Sequence, residues 1–161
     1  MIERESASAV TAFAEHEHLE LRRGVERIHE IACGADEHLP HDLASRLLWI
    51  MSWLDTSLEP HLAWEEAWLY AEVEARTGTP WATHAARFDH RRIREATLIA
   101  RDDWAALVGD RPGRHFNEVR CHLFSLVALL RAHLDREDQL ILPLLAERRA
   151  ARAIAPVTSP S

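Results

Sequence analysis

His61-Leu62-Ala63-Trp64-Glu65-Glu66 and His133-Leu134-Asp135-Arg136-Glu137-Asp138 are one stretch written twice. Each copy sets a His and a Glu four residues apart. On an α-helix that spacing stacks both side chains on one face, about 6 Å apart along the axis. An imidazole nitrogen beside a carboxylate oxygen is half of a metal site. Both copies lie in long helix-period runs, so their reading decides the fold as well as the chemistry.

Working outward, Gly and Pro are sparse and clustered, and helix-period apolar runs fill the gaps between them. No alternating Val/Ile/Thr-rich run suggests a strand. Four helices are predicted. The first runs roughly from Ala9 to Ala35, capped by Ser6 or Ser8. The second runs from about Asp42 to Thr77 and stops at Gly78. The third opens with Thr79 as N-cap and Pro80 at the first helical position, and ends near Val108. The fourth runs from about His115 to Arg149. Pro60, inside the second helix, should kink or loosen it. The short connections predict an all-α, up-down-up-down four-helix bundle, with residues 1–150 as one domain and 151–161 as a flexible tail.

The repeat reaches beyond the two quoted stretches. Glu17-His18-Leu19-Glu20-Leu21-Arg22 on the first helix matches Asp89-His90-Arg91-Arg92-Ile93-Arg94 on the third. His18 to His90, His61 to His133 and Glu65 to Glu137 are each 72 residues apart. The period also selects His18 over His16, because position 88 is Phe. Helical projection puts His122, Leu126, Leu129, Leu140 and Leu144 on the face of His133. It puts Ile50, Leu54, Ser57, Trp68 and Glu72 on the face of His61. Each His–Glu pair therefore belongs to an apolar stripe. A lone inward His is usually a hydrogen-bonded core residue. Six such groups left unsatisfied would cost on the order of 6–18 kcal/mol, as much as a domain's whole stability of about 5–15 kcal/mol. One or two metal ions would satisfy them.

Composition narrows the function. The chain of 161 residues has 47% hydrophobic content and a net charge of −7, and its 19 basic residues are all Arg. An acidic chain without a basic cluster argues against nucleic acid. The lack of Lys removes Schiff-base chemistry and a lysine-dependent phosphate loop. Two Cys make no disulfide framework. The first eleven residues carry Glu3, Arg4 and Glu5 with no apolar run, which is not a secretory signal. No stretch is long and apolar enough to span a membrane, so the expected setting is the cytoplasm. Eleven His raise the expectation of metal.

The HLxxE[ED] segments, each preceded 43 residues earlier by [ED]HxxΦR (Φ aliphatic), resemble the hemerythrin-like, HHE cation-binding family across residues 10–147. The resemblance implies a non-haem di-iron centre inside the bundle. His18 and His61 would serve one iron, His90 and His133 the other, with Glu65 and Glu137 bridging. It implies two iron ions ahead of manganese, with an oxo or hydroxo bridge left open. The small ligand would be O2, peroxide or nitric oxide. Redox chemistry (an oxidase or a peroxide-degrading, catalase-like enzyme) and sensing are the leading readings. A non-catalytic oxygen or iron carrier or storage protein is the alternative, and an organic-substrate oxygenase stays open. Two departures bear on this. The oxygen carriers have HxxxH on the third helix, but here Arg94 follows His90 by four and Ala86 precedes it by four, and His84 points elsewhere. One terminal His is missing, which leaves a position for exchange. The carriers also place an Asp five residues after the fourth-helix His. Here that residue is Asp138, whereas the repeat favours Glu137.

Other residues carry two readings. His29 and His122 should fall at one level of the core, with Cys33 and Cys121 nearby. A hydrogen-bonded pair with two ordinary buried thiols is expected there, and a second Cys/His metal site or redox disulfide is the alternative. Trp49, Trp53, Trp64 and Trp68 should pack and exclude water, with electron supply to iron as the alternative. Arg22 and Arg94 should pair with Glu17, Asp89 or other surface acids, with a charge pointed at the iron pocket as the alternative. Glu147-Arg148-Arg149 reads as a solvated helix end.

Overall fold

A computed structural model describes residues 2–34, 40–109 and 116–145, with side chains at 10–34, 42–109 and 117–145. Four helices make up the bundle: α1 (Ile2–Cys33), α2 (40–77), α3 (His84–Val108) and α4 (116–145). Helix α1 packs on α4, α4 on α3, α3 on α2 and α2 on α1, which closes an up-down-up-down ring. The proposed tail at 151–161, the charged run at Glu147-Arg148-Arg149 and the turn at 110–113 lie outside the described residues. None of the described helices is long and apolar enough to cross a membrane.

The helix ends correct two expectations. Helix α1 begins at Ile2, ahead of the serines read as its cap. No Gly or Pro in that segment obliges the helix to stop short. The third helix does not open at Pro80. Thr79 accepts from the backbone N–H of Trp81 at 3.3 Å, but it caps only a single 3-10 turn, Pro80–Ala82. Thr83 then breaks the helical path at φ −112°, ψ 0°. Its buried hydroxyl donates to Glu74 Oε1 at the end of α2, and Arg87 grips the same oxygen at 3.0 and 3.1 Å. That bond holds the corner and delays α3 to His84. Gly78 supplies the left-handed residue (φ 72°) that ends α2, its N–H bonding Glu74 O at 2.9 Å.

Helix α2 and helix α4 are not uniform. Each contains a widened π-turn at the equivalent place, Glu65–Leu69 and Glu137–Ile141, 72 residues apart. Helix α2 has another at Leu54–Leu58, directly before Pro60, which is the form the loosening at that proline takes. Pro143 follows the α4 turn by two residues, but Ala71 holds that position in α2, so proline does not account for the repeated turn. The burial pattern does. Leu54, Leu58, Leu62, Glu65, Leu69 and Val73 are buried, as are Leu126, Leu130, Leu134, Glu137, Ile141 and Leu145. The two series match position for position and step mostly by four. A 3.6-residue helix would carry such a stripe steadily around its axis, and one extra residue in a turn brings it back.

That extra residue overturns part of the helical projection. Beyond the π-turns, Leu69, Val73, Ile141 and Leu145 face inward, whereas Trp68 is 65% exposed and Leu140 61%. Straight projection had pointed Trp68, Glu72, Leu140 and Leu144 to the core. One inserted residue turns everything after it by about 100°. The remaining core divides in two. A large apolar cluster from Leu21 to Leu134 lies on one side of the His–Glu layer. A smaller one, with Ala14, Leu69, Tyr70, Val73, Ala86, Ile141, Leu142 and Leu145, lies on the other. Within the large cluster, Gly24 lets α2 come close. A Cβ there would stand 2.3 Å from the Trp53 ring. Trp53 stacks on Trp49, and Arg27 covers Trp49 at 3.9 Å.

Candidate metal centre

Between these clusters the bundle buries His18, His61, Glu65, His90, His133 and Glu137, none more than 3% exposed. The repeat named these six, and the structure brings all six together. One ligand atom from each fits into two overlapping groups: His18, His61, Glu65 and Glu137, then Glu65, His90, His133 and Glu137. Within each group the donor atoms lie within 4.8 Å of one another. Glu65 divides its oxygens between them. Its Oε1 lies 3.2 Å from His18 Nε2 and 2.8 Å from His61 Nε2, and its Oε2 lies 3.2 Å from His90 Nε2 and 3.5 Å from His133 Nε2. Glu137 Oε2 sits 3.3 Å from His18 Nε2 and 3.8 Å from His133 Nε2. His16 and His84 are both exposed, which agrees with setting them aside.

Many of these contacts are close without being hydrogen bonds. His61 Nε2, His133 Nε2, Glu65 Oε2 and Glu137 Oε2 are buried and make none. Nδ1 of His61 and of His133 is also without a hydrogen bond. Buried polar atoms are nearly always satisfied. Four of them crowded into two overlapping donor groups fit a cation as the missing partner. Imidazole nitrogen and carboxylate oxygen suit iron or manganese better than a soft ion.

The electrostatics follow from the crowding. At His18 burial favours the neutral ring, but the carboxylates of Glu137, Glu65 and Asp138 outweigh it and hold the pKa up to about 10. Glu137 is pushed up to about 7 by burial and then by the neighbouring Glu65. Glu65 moves the other way. Burial opposes its charge, but the neighbouring side chains of Glu137, His133, His18 and His61 hold it well below the usual carboxylate range.

Around the layer lies a second ring that the sequence reading did not assign. Asp138 accepts from His18 Nδ1 at 2.6 Å and from Arg22 at 2.8 Å. Its counterpart Glu66 accepts from His90 Nδ1 at 2.7 Å and from Arg94 at 2.8 Å. Each ionised carboxylate only accepts, so it fixes the proton on Nδ1 and leaves Nε2 to face the centre. Asp138 is therefore beside its histidine and outside the donor group that Glu137 enters. Arg22 also pairs with Asp135 and Arg94 with Glu59, both at distances below 3 Å. These arginines thus do more than meet the surface acids expected for them, and Asp89 is taken by Arg136 instead. The signal was present: Glu65-Glu66 and Glu137-Asp138 repeat together with Arg22 and Arg94.

Tyr70 was missed altogether. Its fully buried ring brings the hydroxyl to 2.7 Å from His90 Nε2, and it donates to Glu137 Oε1. Its register partner is Leu142, so the repeat carried no signal for it. On the opposite flank a cleft of about 490 Å3 opens beside Thr11, Glu15, His18 and Leu142.

The pair expected from His29 and His122 does not form. His122 Nδ1 turns to the buried Asp103 of α3 at 2.9 Å. His29 lies 3.7 Å from Cys33 Sγ and edges onto Phe124. Cys33 and Cys121, expected as buried thiols, are both exposed and free. Of the four tryptophans in α2, Trp49, Trp53 and Trp64 pack and Trp68 does not.

The fold and the site define a helical, cation-binding bundle protein with a buried His/carboxylate centre. The family model for the hemerythrin HHE cation binding domain matches residues 9–145, and the chain belongs to that family. Comparison with curated proteins and with solved structures gave no match.

Proposed function

We propose that the protein is a non-haem di-iron protein that handles O2, peroxide or nitric oxide in redox chemistry or sensing. The observation that carries this reading is the pair of overlapping donor groups sharing Glu65 and Glu137, with Nε2 and carboxylate atoms left unbonded among them. His18 and His61 would hold one ion, His90 and His133 the other, and the two glutamates would span both. Bound there, iron supplies a Lewis acid and a redox centre.

The chain's own residues set the conditions. Asp138 and Glu66 orient the imidazoles through Nδ1, backed by Arg22 and Arg94. The two apolar clusters exclude water on either side. Glu137, raised to about 7 by burial and the neighbouring Glu65, would give up its proton when an ion takes its oxygens.

Metal analysis and peroxide addition after reconstitution with iron test the reading. About two irons per chain are expected, with rapid O2 evolution or substrate oxidation for an enzyme. A stable coloured adduct that releases its ligand unchanged would move the reading to a carrier or sensor. Absence of bound iron would sink it.

A further inference from the structure

The two halves of the centre are alike at His18 and His90, His61 and His133, Glu65 and Glu137, Asp138 and Glu66. They differ at Tyr70 and Leu142. Both residues are buried, immediately after the π-turns. The turn that re-aims the helix therefore presents a hydroxyl to one half and an isobutyl group to the other.

The position of that hydroxyl is specific. Donors that share one ion at about 2.1 Å and near right angles stand about 3 Å apart. Tyr70 Oη lies 2.7 Å from His90 Nε2, closer than Glu65 Oε2 at 3.2 Å, and within hydrogen-bond contact of Glu137 Oε1. It stands against two members of the donor group of Glu65, His90, His133 and Glu137, namely His90 and Glu137. An ion taken by His90 Nε2 would stand in the place of the 2.7 Å contact that the Tyr70 oxygen makes with that atom, with the phenol oxygen beside the same ion. A hard, anionic phenolate oxygen suits ferric iron.

Resting on the di-iron reading, we infer that Tyr70 is a ligand of the metal held by His90 and His133, in the role left empty by the absent third-helix histidine. On binding, the O–H bond breaks, an oxygen lone pair goes to the metal, and one proton is released with no change of oxidation state. The exchangeable position then moves to the other half. There Leu142 offers no donor, and the cleft beside Thr11, Glu15 and His18 lies on that flank. The sequence alone had suggested the reverse, because Arg94 and Ala86 leave the third helix without a second donor. Arg94 turns outward to Glu59 and Glu66, and Ala86 joins the small apolar cluster.

Tyr70 is the only tyrosine in the chain, so any tyrosine signal belongs to it. The experiment is resonance Raman spectroscopy of the ferric protein, with visible excitation, on chains carrying ordinary or ring-deuterated tyrosine. Tyrosine ring modes that shift on deuteration are expected, together with a visible charge-transfer band. Tyr70→Phe should lose both while its metal content is measured in parallel. Iron bound to the wild-type chain without deuterium-sensitive modes overturns the ligand assignment and leaves the di-iron reading standing. No iron in the wild-type chain overturns both. The wild-type measurement decides the matter even if Tyr70→Phe fails to fold.

Discussion

At the scale of single residues, the adjacent acids of α4 divide the work. Glu137 is fully buried and joins both donor groups, whereas Asp138 is about a third exposed and spends its oxygens on His18 Nδ1 and Arg22. The expected outcomes differ accordingly. Glu137→Ala should lose bound metal at a concentration that saturates the wild type. Asp138→Ala should keep its metal but bind it about 10–100-fold more weakly, the usual loss when a histidine's orienting partner is removed. Metal content after dialysis and a competition titration check both. Full metal in Glu137→Ala beside an empty Asp138→Ala would reverse the assignment. The six central residues were readable because two HxxxE pairs and two single histidines share one period. The outer carboxylates were not, because an acid one step along a helix lies about 100° away and looks solvated. Only the bundle shows that such a side chain can still reach the outer nitrogen of a histidine on the next helix.

At the scale of elements, the helix count and their approximate limits were legible from apolar periodicity, Gly78 and the short connections. The turns were not. A π-turn leaves no distinctive residue, and its trace is the spacing of Leu62, Glu65, Leu69 and Val73, which departs from a straight helix only after several steps. The α2–α3 corner shows a second limit. Thr79 and Pro80 are a sound helix-start signal, but a tertiary bond from Thr83 to Glu74 overrides it. That bond gives a pH signature. The Thr83 hydroxyl lowers the Glu74 pKa, burial opposes it, and Arg87 lowers it further, so the folded value lies below 4.5. A depressed carboxylate contributes stability that is present above its unfolded pKa and is lost as pH falls through the folded one. Glu74→Gln should therefore cost about 1 kcal/mol at neutral pH, which is roughly 2–4 °C in melting temperature for a chain of this size. The gap should close on acidification. Thermal melts of both proteins across that range are the check, and a gap that holds or widens in acid would refute the account.

For the whole molecule, the two halves repeat more than a motif. Buried stripes, the π-turn after each His–Glu pair and the His–carboxylate–Arg groups all recur at 72 residues, so one half largely predicts the other. The places where it fails, Tyr70 against Leu142 and Asp103 against Ile31, are where the chain cannot be read from its own repeat. Such a layer is costly without a bound cation. Two buried carboxylates lie in contact, and the burial that raises Glu137 to about 7 also leaves donor atoms unbonded. A cation that binds the folded chain and not the unfolded one adds about 4 kcal/mol at a thousand-fold excess over its Kd. At roughly 2–4 °C per kcal/mol, that is a rise in melting temperature on the order of ten degrees. Protons compete for the same atoms, and His18 in particular, held up to about 10, must release one to bind. The rise should therefore shrink as the pH is lowered. Calorimetry of the loaded and chelator-stripped protein at several pH values measures it. Coincident melting curves at every pH would mean that the six residues satisfy one another without an ion, and the layer would then be a structural polar core.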